Sequence, residues 1–234
     1  MIVRVAAALV AGLVVGSGVT VLVMRSGSAE TGTPLAVTSS PPVTKSSDPL
    51  TPRGPGWTTV RSDRGLVFDV PPTWKAPTND ARIAILDVNS NPMAGMRFVA
   101  SRQPTTCAAE PTHYISAAGV AFGTGEDPAS AAAIGATTWA HALYTPDKGT
   151  APDVTLTQPV DVQIGAEQGK TVTATVKTTA AMPCGEQAGV VHVVAVPTKT
   201  RGMALMVVFG DLGVAGADTA EDLKTIAATF RADG

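Results

Sequence analysis

The side chains with the most chemistry to offer are two cysteines, Cys107 and Cys184, and three histidines, His113, His141 and His192. The cysteines form no C-x-x-C pair, and no histidine lies within four residues of either, so neither a dithiol motif nor a zinc knuckle is spelled out. In an exported chain two cysteines most simply bond to each other, and Cys107–Cys184 is the expected disulfide. It would close a loop of about 77 residues and stabilise the fold by roughly 4–5 kcal/mol in the chain-entropy view. His141 has Tyr144 rather than a ligand three residues on, and no H-E-x-x-H occurs. His192 stands in an apolar run, where a satisfied core or edge histidine is expected. G-x-S-x-G, S-x-x-K and Walker patterns are missing, and Gly123-Thr-Gly125 is a lone glycine pair. Asp63, Asp69, Asp87 and Asp161 are scattered, with no pairing that spacing alone supports. In a chain only 4% aromatic, Trp57, Trp74 and Trp139 read as core anchors. The sequence therefore assigns no catalytic residue, no metal ligand and no cofactor, and leaves the binding residues unknown.

The opening segment decides the compartment. From Val5 to Met24 no residue is charged. About 20 helical residues at 1.5 Å each span roughly 30 Å, the thickness of a bilayer core. Residues 1–25 thus read as one transmembrane helix kept as a signal anchor. The competing reading is a cleaved secretory signal, with Gly27 and Ala29 as a small-x-small site. Ala8, Gly12 and Gly16 line one helix face and read as lipid-facing filler. No cysteine lies in or just after the run to be acylated. Residues 26–56 then change character: Pro34, Pro41, Pro42, Pro49, Pro52 and Pro55 alternate with Ser and Thr. Such a stretch buries too little surface to offset its ordering entropy, so a disordered, extended linker is predicted.

Residues 57–234 form the expected extracytoplasmic domain. Trp57–Val60 and Leu66–Val70 flank a turn at Gly65; Ile83–Val88 and Met93–Ser101 flank Asn89-Ser90-Asn91-Pro92. Residues 103–126 are ambiguous, with a short strand near Gly119–Phe122. Asp127-Pro128 opens a helix that runs to about Tyr144, with Ile134, Trp139 and Leu143 as its large apolar residues. Strands are predicted over Val154–Ile164, Lys170–Thr178, Gly189–Val196 and Met203–Phe209. The third and fourth are almost wholly apolar and belong mid-sheet. A last helix begins near Ala217 or Asp218, its apolar face made by Leu223, Ile226, Ala227 and Phe230. The order implies an α+β fold, an antiparallel sheet flanked by two helices.

The block Arg64-Gly-Leu-Val-Phe-Asp-Val-Pro-Pro-Thr-Trp74, Gly56-Trp57, Cys107, the helix ending Trp139-Ala-His-Ala-Leu-Tyr144, and Cys184 resemble a family of uncharacterised membrane-anchored proteins of high-GC bacteria. The F-x-V-P-x-x-W element is also similar to the opening hairpin of the Mog1/PsbP-like α/β/α sandwich. That resemblance implies an accessory binding or assembly protein and supplies no catalytic residues. Formal net charge is −2 with 15% charged residues, which gives no field to gather nucleic acid. The expected function is a plasma-membrane, single-pass binding module of the cell envelope. The bilayer is its partner through the N-terminal helix, and an envelope protein or small ligand its other partner. A cell-envelope hydrolase or transferase with an unrecognised site is the alternative.

Overall fold

The computed structural model describes residues 52–87, 89–102, 113–146, 150–182, 184, 186–199 and 202–233. The chain divides into two units, Met1–Val43 and Thr44–Gly234; everything described belongs to the second. The predicted anchor and most of the linker lie outside the described residues. Among the described residues no helix is long and apolar enough to cross a membrane.

Strands β1 (Thr58–Arg61) and β2 (Leu66–Val70) form the predicted hairpin, with Gly65 at φ +67° in its turn. Both join β11 (Arg231–Ala232) in a small antiparallel sheet of order β1-β2-β11, separate from the main sheet. The main sheet comprises β3 (Arg82–Leu86), β4 (Pro92–Arg102), β5 (Ser116–Gly123), β10 (Met203–Leu212), β9 (Ala188–Pro197), β8 (Glu167–Lys177) and β6 (Asp153–Leu156), in that spatial order. The predicted strand Val154–Ile164 is in fact two. Pro159, which lacks an N–H to donate, interrupts it, so β6 and β7 (Val160–Ile164) pair separately with β8. Of the ambiguous region 103–126, residues 103–112 lie outside the described residues; the rest contains β5, longer than the four residues expected, because its Ala and Gly residues slot between β4 and β10.

Helix α1 (Pro128–Tyr144) starts as predicted: the Asp127 carboxylate accepts from the Ala129 and Ser130 N–H groups. Its buried face is made of small residues, Ala131, Ala132, Gly135, Ala136 and Ala140, with Trp139 and Tyr144. Ile134, one of its large apolar residues, is 46% exposed. The small face lets the helix axis approach the sheet closely: a Cβ on Gly135 would stand 3.0 Å from Leu205. Helix α2 (Ala220–Ala227) begins later than predicted, behind an N-cap at Thr219. Asp218 lies outside it and instead accepts from the Trp74 indole at 3.2 Å and from Arg102 at 2.8 Å.

The main sheet is therefore covered on both faces. Trp139, Val172, Val191, Val193, Leu205, Val207 and Phe209 pack under α1. Phe68, Trp74, Val194, Met206, Val208, Leu223, Ile226 and Phe230 pack between the other face, α2 and the small sheet. Burial on both faces accounts for the nearly continuous apolar runs of β9 and β10.

Candidate functional site

At one end of the main sheet, β5 and β9 begin while β10 and α1 finish, and five chemistry-bearing side chains gather there. Asp211, at the end of β10, is 3% exposed. Its Oδ2 lies 2.6 Å from His113 Nε2, and its Oδ1 accepts from the Tyr144 hydroxyl at 3.1 Å. The same hydroxyl stands 3.0 Å from the Gly210 carbonyl oxygen. Burial first, then the charges of Asp211 and Glu186, hold the Tyr144 phenol well above its ordinary pKa. Tyr144 reaches this position only because residue 189 is glycine, since a Cβ there would fall 2.1 Å from the ring.

Beside this network lie Cys184 and Glu186, on the loop joining β8 to β9. Glu186 is 2% exposed. Ligand atoms of His113, Cys184 and Glu186 all lie within 4.8 Å of one another. A shallow groove of about 470 Å³ opens at the same place, lined by Lys177–Met182, Glu186 and Gln187. Glu186 is the one acidic side chain of its lining. No free cysteine stands among the described residues, and Cys184 is disulfide-bonded. Cys107, its expected partner, lies outside the described residues.

Sequence spacing gave no sign of this cluster. His113 and Cys184 are 71 residues apart in the chain and meet only because β5 and β9, on either side of β10, begin at the same end of the sheet. The other expected residues occupy structural positions. His192, on interior strand β9, has Nδ1 2.8 Å from the Thr173 hydroxyl and Nε2 3.2 Å from the Ala220 carbonyl oxygen. Burial lowers its pKa. Asp69 accepts from Thr59, from the Arg53 N–H and from both Arg231 guanidinium nitrogens. Asp87 caps its turn through the Asn89 and Asn91 N–H groups, Asp63 faces Arg97, and Asp161 faces Lys170. Trp74 and Trp139 are buried and Trp57 is partly buried against the core.

A second groove, about 340 Å³, runs between β1 and the segment 76–80, with Phe98 in its wall. Phe98 sits at φ +56° beside a register shift in β4, a conformation costly for an aromatic residue. The charged groups lining it are paired: Arg61 with Asp233, and Asp80 with Arg82 and Arg97. That double pairing holds the Asp80 carboxyl at about 2.

Residues 50–234 match the family described as a domain of unknown function, DUF8017, and the chain belongs to that family. Among solved structures, cyanobacterial PsbP (CyanoP) from Synechocystis sp. PCC 6803 is similar. Its solution structure shares 13% identity and a TM-score of 0.43, over 79% of this chain and 99% of that one. No curated protein matches.

Proposed function

We propose that the chain is a membrane-tethered, extracytoplasmic binding module of the cell envelope, and that it takes its ligand or partner at the groove beside Glu186. The carrying observation is the fixed network behind that groove. Asp211 is shared between the His113 ring and the Tyr144 hydroxyl, and the Tyr144 proton is held on by burial. Groups locked in this way orient a surface for recognition; a hydrolase needs a base with an open nucleophile beside it. The apolar run over Val5–Met24 and the proline-rich stretch after it support tethering. A Cys107–Cys184 bridge belongs to the same reading, because such bonds persist in oxidising compartments.

The test places a photo-crosslinking amino acid at Met182, in the groove, in the full-length chain in living cells. A specific adduct with an envelope component is expected there. It should be absent when the probe replaces Val160, which pairs with Thr171 toward the opposite end of β8. Equal labelling at both sites, or none at Met182, would sink the reading. The hydrolase alternative would instead require turnover that His113→Asn abolishes.

A further inference from the structure

We infer that the groove between β1 and residues 76–80 takes a short, uncharged, extended peptide of a partner protein, added as a further strand to the small sheet. This goes beyond the binding-module reading. The groove shares no lining residue with the one beside Glu186, so either can fail without the other.

β1 forms one edge of the small sheet and pairs only with β2. Opposed residues of an antiparallel pair alternate between exchanging main-chain hydrogen bonds and facing each other without them. The Ser62 N–H donates to the Leu66 carbonyl oxygen. That puts Val60–Phe68 and Thr58–Val70 in the bonded set and Arg61–Val67 and Thr59–Asp69 in the other. Asp69 agrees with this phase, since its N–H turns away from β1 to the Thr229 hydroxyl. The N–H and C=O groups of Thr59 and Arg61 therefore face outward, and none of the described residues bonds to them. Main-chain donors and acceptors in a row on an open edge are a template for another strand. β1 has four residues, about 13 Å at about 3.3 Å each, so about four ligand residues pair with it.

The groove, about 340 Å³, supplies the specificity. Val60, Ala76 and Phe98 give it apolar walls, a seat for one apolar side chain. Phe98 is re-aimed by the register shift in β4, where its φ is +56°, as bulges redirect side chains that regular pleating would send elsewhere. Across from β1 stand Thr78 and Asn79, both exposed. A strand presents main-chain groups to both sides, and a carboxamide can donate to one and accept from the next. Charge sets the class of peptide. Arg61 is taken by Asp233, and Asp80 by Arg82 and Arg97. An ionised ligand side chain would lose water there and find no counter-charge.

The test uses the full-length chain in detergent micelles. The probe is a fluorescein-labelled, end-blocked peptide of alternating threonine and valine with a central leucine, followed by anisotropy. Saturable one-to-one binding is expected. Methylating the peptide's amide nitrogens should weaken it at least about tenfold, the worth of a lost hydrogen bond or more. Replacing the leucine by glutamate or by lysine should do the same. On the protein, Thr59→Pro removes an outward N–H where proline breaks no ladder bond. Thr59→Val loses only the hydroxyl that Asp69 accepts. The proline variant should bind at least about tenfold more weakly, and the valine variant like wild type. Phe98→Asn, a residue that tolerates positive φ, should fold and also lose at least about tenfold. Equal binding of the methylated peptide overturns the proposal, as does equal binding by Thr59→Pro. A wild type that binds nothing overturns it too, including one whose edge is already covered by a second copy or by its own residues 26–51. If Thr59→Pro does not fold by far-UV circular dichroism, the methylated peptide and Phe98→Asn decide.

Discussion

Asp69 keeps a carboxylate in the interior by surrounding it with donors that come from far apart in the chain: the Arg53 N–H, the Thr59 hydroxyl and the Arg231 guanidinium. Removing it leaves Arg231, about a fifth exposed, facing a void. Breaking a buried pair costs about 3–5 kcal/mol, and the partial exposure of Arg231 places Asp69→Ala toward the lower end, measured by urea unfolding at neutral pH. His192 makes a second prediction. Its folded pKa lies below the ordinary 6.5 because burial disfavours the charged ring. As pH falls below 6.5 the unfolded chain takes a proton that the folded chain refuses, so stability drops on acidification. Wild type should therefore lose stability relative to His192→Gln between pH 7 and 5, read as the difference in urea midpoints. Equal slopes would refute it. At this scale the sequence was least informative. Asp69 read as one scattered acid, and His113 as an isolated histidine, because their partners are set by sheet register rather than by spacing.

Elements were far more legible. Lys170–Lys177 alternates as predicted, with Val172, Ala174 and Val176 buried and Thr175 and Lys177 exposed, and Asp127-Pro128 marks the start of α1 without ambiguity. What failed had local causes. Pro159 split a strand, and the cap at Thr219 set the start of α2 later than expected. The capping box of α2 joins Thr219 to Asp222 in both directions, and those bonds lower the Asp222 pKa. Thr219→Ala should cost about 1 kcal/mol, visible as a lower thermal midpoint at pH 7. Gly189→Ala would drive a methyl into the Tyr144 ring, an overpacking cost of about 1–3 kcal/mol. Combining it with Tyr144→Ala should give a loss smaller than the sum of the two, since the clash is then gone.

For the molecule as a whole, the sandwiching of one sheet between α1 on one side and α2 with a small sheet on the other explains why the charged surface is sparse and the sheet strands so apolar. The α+β order read from the residues holds. The separation of the first hairpin into its own sheet does not follow from local sequence, because its third strand comes from the far end of the domain. The proposed Cys107–Cys184 bridge predicts an intact mass about 2 Da lower without reductant than with it. Reduction should lower stability by roughly 4–5 kcal/mol. Unchanged mass would remove the bridge.

That third strand has a temporal consequence. Arg231 and Ala232 zip onto Val67 and Leu66, Asp233 donates its N–H to the Gly65 carbonyl, and Arg231 neutralises Asp69. A nascent polypeptide lacking these residues holds the Asp69 carboxylate without its guanidinium and leaves β2 with an open edge. Completion of the small sheet is accordingly deferred until residue 233 has been made.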